Sequence, residues 1–165
     1  MEIIPILLKE MEQEAQTTRK MLSIIPNDKF DWQPHAKSMT IRELATHLAE
    51  LPNWVKMALT TNELDFAANP YTLPVLNNTT ELLAFFEKCY SGGYDQLAQS
   101  KEDDLLPEWV LRNGDYIIQT YNVAEVIRVA FAQTTHHRAQ LGVFLRLLDV
   151  PIPGSYGPSA DELGK

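Results

Sequence analysis

A single cysteine, Cys89, stands among the 165 residues. One thiol forms no intramolecular disulfide and builds no thiolate cage for a metal, so a disulfide scaffold is excluded and a cytoplasmic setting is expected. Basic residues are also few: 14 Lys and Arg against 22 Asp and Glu leave a net charge of −8. Proteins that grip nucleic-acid phosphates or anionic lipid do so with clustered cations. No such cluster occurs here, so the expected partner is a small molecule or a protein, with no nucleic acid and no membrane. No apolar run approaches the roughly 18 residues that would span a bilayer. The opening residues carry Glu2, Pro5 and only a short apolar stretch, without the basic start and long apolar run of a secretory leader. Internal repeats and low-complexity tracts are missing too, and period-two alternation is almost absent.

What the chain does contain is helical periodicity, with 45% hydrophobic and 22% charged residues, enough to bury a core in one domain over residues 1–165. Ile4, Leu7, Leu8, Met11, Ala15, Leu22 and Ile25 recur at three- and four-residue steps, and Pro26-Asn27 stops that pattern. Thr40 with Glu43 forms a capping box ahead of a second stripe through Leu44, His47, Leu51, Trp54 and Ala58. A third helix follows the Asn78–Glu81 cap, through Leu82, Phe86, Cys89, Tyr90 and Leu97, with Gly92-Gly93 expected to weaken or bend it. A fourth follows Asn122 with Glu125, through Val126, Ala130, Gln133, His137, Leu141, Phe144 and Leu148.

Residues 62–78, polar and holding Pro70 and Pro74, read as a long crossover that lets the second and third helices run parallel. Asn113-Gly114 between Trp109 and Tyr121 signals a small ribbon or an irregular loop. Asp149 to Lys165, with Pro151, Pro153, Gly154, Gly157 and Pro158, reads as a surface tail. The fold expected is all-α, a four-helix bundle with a long crossover between helices 2 and 3.

Histidines lie on two of the inward stripes. His47 on the second helix and His137 on the fourth point toward the interior, and imidazoles converging from different helices are how bundles build sites for divalent transition metals. A buried histidine bonded to a carbonyl or a tyrosine satisfies the same pattern. His136 is rotated about 100° from His137, which assigns it to support of the site or to a helix seam rather than to direct ligation. Arg138, next to His137, is expected to support the site, and its partner is either a substrate carboxylate or a surface acid. His35, beside Pro34, reads as a surface or hinge residue. Cys89 reads as a buried small hydrophobe, and Trp54 and Phe144 as core.

Two stretches together resemble the DinB-like, DNA-damage-inducible family. One is Phe30-Asp31-Trp32-Gln33-Pro34-His35 followed by Thr40-Ile41-Arg42-Glu43-Leu44-Ala45-Thr46-His47-Leu48. The other is His136-His137-Arg138-Ala139-Gln140-Leu141, then Leu147-Leu148-Asp149-Val150-Pro151-Ile152-Pro153 and Tyr156-Gly157-Pro158. The resemblance implies an up-down-down-up bundle, often a homodimer, holding a divalent metal such as zinc or nickel on three histidines. Carried to this chain, the first ligand is His47 and the last His137, while the middle position, four residues before His137, holds Gln133. Glutamine offers only a neutral amide oxygen there. Gln133 can ligate weakly, Glu50 can enter as a carboxylate from one turn after His47, or the site can hold only water.

Open metal positions permit thiol chemistry or hydrolysis. The family includes S-transferases that use low-molecular-weight thiols, which makes a thiol S-transferase the first enzymatic reading and a hydrolase the second. A non-catalytic binding or dimerisation bundle with a degenerate site is the opposing one. Phe66, Tyr71, Leu73 and Val75, apolar residues in a polar crossover, are the feature of the chain that accords with a dimer.

Overall fold

The computed structural model describes residues 2–70 and 72–164. Its helices are α1 (Ile4–Ser23), α2 (Ile41–Glu50), α3 (Pro52–Thr60), α4 (Thr79–Gln99) and α5 (Val123–Leu147). Three begin where the side chain of the capping residue itself takes up an orphan amide. The Glu43 amide donates to Thr40 Oγ1 while the Thr40 amide donates to the Glu43 carboxylate, and Asn122 with Glu125 repeats the exchange. Asn78 accepts from the Glu81 amide at the start of α4.

The expected second helix is two helices. Pro52 has no N–H to continue the ladder and becomes the first residue of α3, so the rod turns a corner at Leu51. The apolar stripe nevertheless persists across the corner, with Leu44, Leu51, Val55 and Ala58 all buried.

Two clusters of buried side chains give the helix directions. One unites the end of α1 (Met21, Leu22), α2 (Ile41, Leu44), the start of α4 (Leu82, Phe86) and the end of α5 (Leu141, Leu145). The other unites the start of α1 (Ile4, Leu7), α3 (Val55, Ala58), the end of α4 (Leu97) and the start of α5 (Val123, Val126). Helices α1 and α5 therefore run one way, and α2–α3 and α4 the other. The crossover at 62–78 makes the parallel step from α3 to α4 possible.

The all-α expectation needs correction, because a three-stranded sheet caps the second cluster. β1 (Glu63–Asp65) pairs parallel with β2 (Glu108–Asn113), which pairs antiparallel with β3 (Tyr116–Asn122). The β2–β3 hairpin turns at Asn113-Gly114, where Gly114 adopts φ +60°. Strand β1 carries no sequence signal because its three residues owe their conformation to a distant partner. Asp65 secures that partnership: its Oδ1 accepts the amides of Gly114 and Ala67 at 2.8 and 2.9 Å, and its Oδ2 meets Arg112 at 3.2 Å. These contacts, the Gly114 amide foremost, hold the Asp65 carboxyl below its ordinary pKa.

Helix α4 runs unbroken through Gly92-Gly93. The tail after α5 is fastened rather than merely laid on the surface. Asp161 takes two bonds from Arg146, at 2.9 and 2.6 Å, and one from the Ile152 amide, and its pKa falls to about 2, chiefly through Arg146. Among the described residues no helix is long and apolar enough to cross a membrane.

Candidate metal centre

The last turn of α2 and the middle of α5 face one another across the bundle, and each brings a histidine to the seam. The rings of His47 and His137 meet edge to face, their centroids 4.7 Å apart. Both rings are partly buried. Burial is the main cause that lowers the His137 pKa below its ordinary value, opposed by a hydrogen bond with Gln140 and reinforced by His47 and His136. The shift favours the neutral imidazole at His137, the protonation state a metal ligand requires. His47 Nδ1 stands 3.6 Å from Glu50 Oε2, and His137 Nδ1 lies 2.9 Å from Gln140 Oε1.

Two imidazoles that share one ion at 2.0–2.1 Å per nitrogen in tetrahedral geometry have ring centres about 5 Å apart, so the observed spacing fits a two-nitrogen clip. Among the described residues no three His, Cys, Asp or Glu side chains come together in a way that would hold a metal ion. Glu50 therefore does not complete a set with the two histidines in this arrangement.

Gln133 lies one turn before His137 on α5 but is exposed, at the outer rim of the seam. The expected inward stripe through Gln133 and His137 is rotated in the structure, where Thr134 and Arg138 face the interior. The physical reason lies in the apolar positions. Val126, Ala130 and Leu141 belong to both stripes, so they leave the helix phase open by one residue and the polar positions between them cannot decide it.

His136 is exposed, its ring 4.8 Å from that of His137, beside a surface hollow of about 330 Å³ lined by Val129, Ala132, Gln133 and itself. Arg138 points toward α1 and is only 1% exposed. It donates to Glu14 at 2.6 Å, to Thr18 Oγ1 at 3.1 Å and to the Tyr156 hydroxyl at 3.0 Å. Its partner is an acid, but in the interior instead of at the surface, and it does not support the histidine pair.

Cys89 is buried, and burial, with a contribution from Glu50, pushes its pKa up to about 11. It is a thiol and not a nucleophile at neutral pH. Trp32 packs edge to face on Phe144 against the core. His35 accepts the Lys37 amide through Nδ1 and orders the loop before α2.

That loop forms one wall of a cleft of about 400 Å³, lined by Lys37, Ser38, Met39, Glu43, His47 and Leu73, a volume that suits a small molecule. Sequence reasoning did not find this cleft, since it is assembled from segments far apart in the chain. It also passed over Gln140, although the three-residue step from His137 is a spacing that puts two side chains in reach on a helix.

The chain and its fold have counterparts. YrdA of Bacillus subtilis is 22% identical over 158 residues, covering 96% of this chain and 90% of its own. YfiT from Bacillus subtilis, described as a probable metal-dependent hydrolase with an unusual four-helix bundle topology, superposes with a TM-score of 0.68 at 13% identity, covering 90% of this chain and 89% of its own. The mycothiol-dependent maleylpyruvate isomerase superposes at 0.62 with 18% identity, covering 84% of this chain and 60% of its own. A model of the DinB family matches residues 5–164, and on that evidence, spanning nearly its whole length, the chain belongs to the DinB family.

Proposed function

We propose that this protein is a metal-dependent enzyme acting on a small molecule, with thiol S-transfer as its reaction type and a low-molecular-weight thiol as one substrate. The observation that carries the reading is the meeting of His47 and His137 at 4.7 Å, with His47 also lining the cleft. In this proposal the two imidazoles hold a divalent ion, zinc or nickel, and the Gln133 amide oxygen is a weak third donor. What such an ion supplies is acidification of a coordinated thiol or water. The chain's own residues do the rest: Lys37 and Ser38 bind the polar end of the substrate, Met39 and Leu73 cover its apolar part, and partial burial keeps His137 unprotonated. The mycothiol dependence of the isomerase relative supports the choice of a thiol. A cytoplasmic location, where such thiols are found reduced, goes with this reading.

Hydrolysis is the second reading, favoured by the description of YfiT. A non-catalytic bundle is the third, favoured by the exposed Gln133. Zinc binding and activity, measured together, separate them. Gln133→His is expected to tighten zinc binding by more than about tenfold, since imidazole is a far better donor to zinc than an amide. Zinc-loaded wild type is expected to join N-acetylcysteine to a chloronitrobenzene, its sulfur replacing chlorine on the ring with release of chloride and the thiol proton, and the activity is expected to be lost in His47→Ala. Ester cleavage without thiol transfer would select the hydrolase. A wild type that binds no zinc beside a Gln133→His variant that does would select the degenerate bundle.

We also propose a homodimer. Val75 in the crossover is 72% exposed, Phe66 and Leu73 are half-buried, and Tyr71 lies outside the described residues. Strand β3 adds Tyr116, Ile117 and Ile118, all exposed, on an edge strand that has no charged residue between 116 and 122. Such an edge is a template for pairing. Sedimentation at micromolar concentration is expected to show a dimer that Ile118→Lys weakens; a monomeric wild type would remove the proposal.

A further inference from the structure

We infer that Gln140 is a positioning residue: its side-chain carbonyl holds the proton of His137 on Nδ1 and so presents the Nε2 lone pair to the seam shared with His47. The inference rests on the metal reading for its purpose but not for its test. Gln140 Oε1 lies 2.9 Å from His137 Nδ1, one helical turn away on the same helix. No loop intervenes, so α5 keeps the two positions one turn apart and within reach of each other.

A neutral imidazole carries one proton and one lone pair, and the partner of one nitrogen decides the role of the other. With the carbonyl accepting from Nδ1–H, Nε2 is left as the donor atom. With the amide turned over, its NH₂ would donate to Nδ1, and the proton would sit on Nε2 and block ligation there. Among the described residues the Gln140 side chain makes its hydrogen bond to His137 and is otherwise exposed, so its NH₂ end is open to solvent.

A neutral amide has a further advantage over a carboxylate. It selects the tautomer without adding a negative charge beside His137. His47 is arranged differently, with the Glu50 carboxylate 3.6 Å from its Nδ1. The two imidazoles of the seam thus have unlike neighbours, one amide and one acid.

The test is long-range proton–nitrogen NMR of the histidine-labelled, metal-free full chain at about pH 8, where free imidazole is neutral. Free histidine favours the proton on Nε2, so the wild-type protein is expected to show the opposite tautomer at His137. Gln140→Leu is expected to return His137 to the Nε2–H form and to weaken zinc binding by about 10–100-fold, the effect typical of removing a group that orients a ligand. Gln140→Glu is expected to restore the Nδ1–H form, while circular dichroism shows unchanged helix in both variants. An Nε2–H tautomer in the wild type, or a tautomer indifferent to Gln140→Leu, would overturn the inference. Tautomer control as expected with no zinc bound by any variant would sustain the role of Gln140 and overturn the metal reading instead.

Discussion

Replacing Arg138 with methionine is expected to cost about 3–5 kcal/mol of stability, the range found when one partner of a buried ion pair is removed. The Arg138 side chain is 1% exposed and that of its partner Glu14 12%. Without the guanidinium, Glu14 keeps a largely buried charge and Thr18 loses a donor. The consequence reaches further than the pair. The Tyr156 hydroxyl joins Arg138, Glu14 and Thr135 within 3.0 Å, so the same change loosens the tail over α1 and α5. Urea denaturation is expected to show a lowered midpoint, and limited proteolysis earlier cleavage after residue 149. Adding Glu14→Gln to Arg138→Met removes the stranded charge and is expected to recover part of the loss. A loss below about 1 kcal/mol, in the range of exposed pairs, would show that the network is not buried in solution.

Gly93→Ala is expected to destabilise by about 3 kcal/mol, the upper end of the usual range for over-packing. A methyl group at Gly93 would lie 2.2 Å from the Pro52 carbonyl oxygen and 2.9 Å from Met11 Cε. The methionine can move, but the carbonyl is backbone at the corner between α2 and α3, so the helices must separate. That corner follows directly on the turn that carries His47 and Glu50, and zinc affinity is expected to fall along with stability. Gly92 is the internal control. A methyl there would meet only Lys56 Cδ at 3.9 Å, so Gly92→Ala is expected to stabilise by roughly 0.5–1 kcal/mol through helix propensity alone. Equal effects at the two glycines would contradict the packing described at the corner.

These two positions illustrate how far the amino-acid sequence could be read. The Gly92-Gly93 pair looks like a weakness in a helix, and only the neighbouring chain reveals that one glycine is required and the other is not. Pro52 is visible as a helix breaker, yet the stripe through Leu44, Leu51 and Ala58 continues across it, and periodicity alone merged α2 with α3. The capping signals at Thr40, Asn78 and Asn122 were reliable because each is a local bond between residues three apart. Strand β1 was invisible for the opposite reason, since its conformation depends on β2, more than forty residues away.

The candidate site divides along the same line. His47 and His137 were legible as residues that approach each other from different helices, and their rings do meet. The facing of α5 between them was not legible. Its apolar positions tolerate a one-residue rotation, which in the structure puts Arg138 inside and Gln133 at the rim. The family resemblance identified Gln133 as the departure from a three-histidine set, and the structure adds that no other His, Cys, Asp or Glu among the described residues replaces it. The cleft beside His47 required residues 37–39 and Leu73 to be brought together, a relation that no local pattern encodes.

The central claim is that His47 and His137 together hold a divalent ion. Elemental analysis of the tag-free protein, equilibrated with micromolar zinc and freed of excess, tests it most directly when wild type is set beside His47→Ala and His137→Ala. About one zinc per chain is expected in wild type and little in either variant, with helical circular dichroism retained in all three. Equal zinc in the three proteins, or none in any of them, would contradict the claim.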